Sequence, residues 1–112
     1  KANREYRLYE FLRRASLDDS ILLRTDDWKH VEQEIHALWP DFGRKLYEYG
    51  VNLSDTEMRI CWMARMNIPP LGMATILKRT KPAISLARSR LYKKLHGTPG
   101  TGQMLDAFIR RL

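Results

Sequence analysis

A single cysteine, Cys61, leaves no possibility of an internal disulfide, and a reducing, cytoplasmic setting is the expectation that follows. The three histidines, His30, His36 and His96, are scattered without partner cysteines, so no metal-ligand spacing exists and no cofactor is expected. Long apolar runs are missing too. The longest uncharged stretch, residues 66–77, is broken by Pro69 and Pro70 and falls short of the ~20 apolar residues that cross a bilayer. There is no glycine-rich phosphate cradle and no nucleophile-base pair that the sequence places together. The adjacent acids Asp18-Asp19 and Asp26-Asp27 are better explained by complementing helix dipoles than by acid-base catalysis, and an enzyme is not expected. Acids are also absent from one long stretch: none occurs between Glu57 and Asp106.

What is present is a chain of 112 residues, 44% hydrophobic and 29% charged, which suits one folded unit rather than a disordered segment or several domains. A start at Lys1, with no signal-peptide pattern, leads us to expect a piece of a longer protein, whose remainder is free to carry a membrane anchor. The net charge of +7 is unevenly spread. Residues 53–96 hold nine bases (Arg59, Arg65, Lys78, Arg79, Lys81, Arg88, Arg90, Lys93, Lys94) against Asp55 and Glu57, while the rest balances eleven against eleven. Such a footprint suits a polyanion, because each neutralised phosphate releases counterions; a merely solvated basic helix is the plainer explanation.

Helical spacing recurs from end to end, and no segment alternates as a strand would. Residues 3–14 form an amphipathic pattern. Thr25-Asp26-Asp27 reads as an N-cap before a helix carrying Trp28, Val31, Ile35 and Leu38. Pro40 stops that helix and opens another, with Phe42, Leu46 and Tyr49 on one face and Gly50 at its end. Ser54-Asp55-Thr56-Glu57 is a capping box for a helix reaching about Met66, after which Asn67 is placed to turn left-handed. Pro69-Pro70 opens a short helix, Thr80 caps a long one over 81–95, residues 97–102 form a loop, and a final amphipathic helix carries Leu105, Phe108 and Ile109. We expect Trp28, Trp39, Phe42, Trp62 and Cys61 in the core or an interface, and the histidines on the surface or hydrogen-bonded.

Two helices joined by a tight turn, with most of the charge on the second, form a helix-turn-helix pattern. Projected at about 100° per residue, Ile84, Ala87, Leu91 and Leu95 are expected to face the domain. Ser85, Leu86, Ser89 and Lys93 point away, with Lys81, Arg88 and Tyr92 on the flanks. Short polar side chains near the start and basic ones further along suit major-groove insertion. With the turn included, the expected DNA contacts are Lys78, Arg79, Thr80, Lys81, Ser85, Leu86, Arg88, Ser89, Tyr92 and Lys93.

Leu53-Ser54-x-x-Glu57, Ile60, Ala64, Asn67, Ala74, Leu77, Ala83-Ile84, Leu91 and Lys94-Leu95 align without a gap on the LuxR/GerE-type DNA-binding domain, which this stretch resembles. Trp28 to Trp39-Pro40-Asp41-Phe42 and Leu105-Asp106-x-Phe108-Ile109 extend the likeness to the C-terminal region of large Bacteroidetes-type transcriptional regulators. Three positions depart from the pattern: Pro69-Pro70-Leu71-Gly72 replaces S-N-K-E, Ala87 replaces a His, and Asn67 replaces a Gly. The resemblance implies an all-α helical bundle with a LuxR-like, tetrahelical helix-turn-helix of the winged-helix-like DNA-binding superfamily. It also implies a dimer on duplex DNA, with base preference not carried over. We expect residues 1–24 to be a helical linker or dimerisation segment and 25–112 the DNA-binding domain, with its core at 53–96. The competing expectations are a protein-interaction module docking RNA polymerase or another regulator, and a promoter-binding region like the last region of sigma factors.

Overall fold

Helix starts are set by short-range hydrogen bonds that the sequence makes available. At residue 54 the Ser hydroxyl accepts from the Glu57 amide at 3.2 Å, and the Glu57 carboxylate accepts from the Ser54 amide at 2.8 Å. Thr80 accepts from the Ala83 amide at 3.2 Å, and Thr101 from the Met104 amide at 3.2 Å. In a computed structural model describing residues 2–112, these caps help delimit seven helices, with no strand among the described residues. They are α1 (Ala2–Ser16), α2 (Thr25–Leu38), α3 (Pro40–Tyr47), α4 (Asp55–Arg65), α5 (Pro70–Leu77), α6 (Lys81–His96) and α7 (Gly102–Arg111). The chain is all-α, and among the described residues no helix is long and apolar enough to cross a membrane.

One start differs from the expectation. The N-cap of α2 is Arg24, not Thr25, and the cap is built from the backbone: the Arg24 amide donates to the Asp27 carboxylate at 2.8 Å. Helix ends follow the residue types that tolerate a positive φ. Asn67 (φ 60) lies just beyond α4, and Gly97 (φ 76) ends α6. Lys78 takes the same conformation at the end of α5 (φ 57), where its side chain has a tether described below.

One hydrophobic core runs through the whole chain. Ile60, Cys61, Met63 and Ala64 of α4 occupy its centre, with α7 against α4 and α6 through Leu105 and Ile109. α5 packs on both α1 and α6, with Met73, Ala74 and Ile76 buried, and Ile84 of α6 is buried in the same core. Residues 1–24, set apart in the sequence, belong to this same core: Leu8, Leu12 and Ala15 are buried where α1 lies on α5 and α2. Each buried leucine of that kind contributes about 1.5–3 kcal/mol, so α1 is a substantial part of the fold. The contact is close at Gly72, where an added Cβ would lie 2.9 Å from the Ser16 Cβ.

Of the aromatic residues expected inside, Trp28, Phe42 and Trp62 are buried and Trp39 is half-buried against the core. Trp28 and Trp62 stack at 6.4 Å, the Arg59 guanidinium lies 5.1 Å over the Trp28 ring, and that of Arg65 lies 3.7 Å over the half-buried Trp39. Burial pushes the Cys61 thiol up to about 12, so it is an unreactive packing residue. His96 departs from the expectation. It is half-buried among Tyr92, Phe108 and Tyr49, with its Nε2 buried and unpartnered among the described residues.

Candidate nucleic-acid interface

The fold presents α6 and the three-residue turn before it along one side. Within the turn, the Arg79 amide returns to the Ala74 carbonyl at 3.0 Å and Thr80 caps α6, so the two helices are held at a fixed junction. Lys78 and Arg79 have exposed side chains. The Lys78 ammonium is engaged, donating to the Asp19 carbonyl of the α1–α2 loop. Arg79 forms no ion pair among the described residues.

Along α6, Lys81, Ser85, Leu86, Arg90 and Lys93 are exposed and Ser89 is half-buried. The Ser89 hydroxyl donates to the Leu86 carbonyl at 3.1 Å, which leaves its oxygen as an acceptor toward solvent. Lys81, Arg90 and Lys93 form no ion pair among the described residues. Arg90 is therefore an exposed cation on this helix that the expected contacts did not include. Lys94, one residue beyond Lys93, is bound to Glu57 of α4 at 2.8 Å. Burial pushes the Glu57 carboxyl up, but the hydrogen bonds from Lys94 and Ser54 outweigh it and hold the group below its ordinary value.

Two of the expected contacts turn away from this surface. Arg88 is 4% exposed and ion-paired with Asp106 of α7, its Nη2 2.6 Å from Oδ2 and its Nε 3.3 Å from Oδ1. The reason is helical phase: at about 100° per residue Arg88 falls about 40° from Ile84, nearer the buried stripe than Ala87 at about 60°. The buried stripe is accordingly Ile84, Arg88, Leu91 and Leu95, with Ala87 half-buried at its edge. Gly102 makes room for the guanidinium, since a Cβ there would lie 2.5 Å from the Arg88 Cζ. Tyr92 is half-buried against the α6–α7 loop, its ring so close to Gly100 that a Cβ there would come within 2.2 Å. It also packs 4.3 Å from the His96 ring, so it serves the joint between α6 and α7.

The two acids nearest α6 in sequence are thus both occupied, Glu57 by Lys94 and Asp106 by Arg88. Beside the first turns of α6 runs a groove that sequence reasoning missed. Leu71 of α5, Lys81 and Ser85 of α6, and Gln103 and Arg110 of α7 line it, with the Arg88–Asp106 pair also in its wall. The signal for the ion pair was present in the sequence: Asp106 is the sole acid beyond Glu57 and stands next to core residue Leu105. In comparisons with known proteins, no family model, no curated protein and no solved structure matches the chain.

Proposed function

We propose that the chain binds double-stranded DNA as the output module of a bacterial transcriptional regulator, with α6 in the major groove. In this reading α4 to α7 form a LuxR/GerE-type tetrahelical helix-turn-helix, and α5 and α6 are its central pair. The observation that carries it is the set of exposed bases without a carboxylate partner, Arg79, Lys81, Arg90 and Lys93, placed beside Ser85 and Ser89 while the adjacent acids are taken. Arg79, Arg90 and Lys93 hold backbone phosphates. Lys81, Ser85 and Ser89 meet base edges, and Leu86, 48% exposed, suits the methyl of a thymine. Lys78 and Thr80 support the turn. One such unit reads a half-site, so the regulator works as a homodimer in the cytoplasm.

The test is fluorescence-anisotropy binding to a random duplex pool over a fourfold range of salt. Three phosphate contacts give a slope near −2.7 in log K against log salt, or roughly a fortyfold loss across that range. Ser85→Ala shifts sequence preference more than affinity, and salt-insensitive or absent binding overturns the reading. Docking on a protein such as RNA polymerase is the second reading, favoured by the exposure of Leu71 (63%) and Leu86 on this side.

A further inference from the structure

The groove between α5, α6 and α7 has a charge that its neighbours do not cancel. It holds Lys81, Arg88 and Arg110 against one carboxylate, Asp106. Arg88 and Asp106 neutralise each other through their buried contact, which leaves Lys81 and Arg110 without an acidic partner among the described residues. A concave site with two uncompensated cations concentrates anions.

Its donors also have a pattern. The Arg110 Nε donates to the Ala64 carbonyl near the end of α4 at 3.3 Å, which orients the guanidinium and leaves its terminal amines free. Gln103, one helical face along α7, adds an amide, and Ser85 adds a hydroxyl from the opposite wall. The start of α5 adds no charge: Pro69, just before the helix, Pro70 and Leu71 line the groove here, and two of these three lack an amide N–H. Arginine, lysine, glutamine and serine are the donor types that hold nucleic-acid phosphates.

We infer that α7 is part of the nucleic-acid interface: Arg110 and Gln103, across the groove from Lys81, hold one backbone phosphodiester of the duplex beside the first turns of α6. The inference rests on the DNA-binding reading and adds a third helix to it. A strand flanking the major groove passes beside the start of α6, where this groove opens. The Arg88–Asp106 pair then has a second effect, because it keeps Asp106 from repelling that phosphate.

The experiment uses the whole chain and the random duplex pool, comparing Arg110→Gln, Arg110→Lys and, as a control outside the groove, Arg111→Gln. Arg110→Gln lowers the magnitude of the salt slope by about 0.9 and weakens binding about fivefold near 0.15 M salt, equally for all sequences. Arg110→Lys restores the slope, and Arg111→Gln leaves it unchanged. Thermal melts identify any variant that has lost structure, and Gln103→Ala, which lowers affinity without changing the slope, tests the site apart from Arg110. An unaltered slope in Arg110→Gln, or equal changes in Arg110→Gln and Arg111→Gln, overturns the inference while steep binding by the parent chain stands. A shallow slope in the parent chain overturns the DNA reading and this inference together.

Discussion

Acids and bases nearly balance in number in the first half of the molecule, whereas from α4 onward bases are in large excess. In α1 to α3, Arg4 pairs with Glu34, and Arg44 reaches both Asp41 and Glu48, all at the surface. From α4 to α7 the bases outnumber the acids, and the two ion pairs, Lys94–Glu57 and Arg88–Asp106, use up the acids that flank α6. Exposed pairs of the first kind contribute about 0–1 kcal/mol and keep a surface electrically quiet. The second half spends its few acids on positioning helices, so the remaining bases face solvent as a single-sign field. What separates the two halves is therefore an excess of one sign of charge, not the presence of bases as such.

The sharpest way to break that contrast is to free Arg88. Asp106→Ala strands a buried guanidinium and costs about 3–5 kcal/mol in urea unfolding, while replacing both partners by apolar residues recovers most of the loss. Gly102→Ala acts on the same pair from outside. Its methyl displaces the guanidinium from Asp106 and costs about 1–3 kcal/mol, read as a lower melting temperature. Lys93→Ala against Lys29→Ala compares an exposed lysine of each half: the first weakens duplex binding about fivefold near 0.15 M salt, the second does not, and neither moves stability beyond about 0.5 kcal/mol.

The smallest effect concerns acid. Because the Glu57 carboxyl is held below its ordinary 4.5, its contribution is present above that value and fades as pH falls through the lower folded value. Unfolding midpoints of Glu57→Gln therefore fall less steeply below pH 4.5 than those of the parent chain. Identical pH profiles would show that the contact with Lys94 carries no weight.

Features encoded within one helical turn were legible in the sequence. The capping box at Ser54, the Thr80 cap and the left-handed Asn67 each depend on residues three or four positions apart, and all three stand as read. Arg88 was misjudged because its charge was weighed ahead of its phase, although its 40° offset from Ile84 was available from the spacing. The seat of α1 on α5 was not legible. It joins segments some sixty residues apart, and nothing in the local pattern of either one names its partner. The groove on α7 was hidden for the same reason, since Lys81 and Arg110 meet only through the packing of α6 on α7.

That seat of α1 changes what counts as the smallest working unit. An eight-residue helix is too short to persist alone in water, so α5 holds its shape because neighbours clamp it. α1 is one jaw of that clamp, and the Lys78 tether to the Asp19 carbonyl latches the turn to the loop that follows α1. The expected outcome is that α1, α5 and the turn open as one cooperative block, which amide exchange would read as a common rate in these three segments.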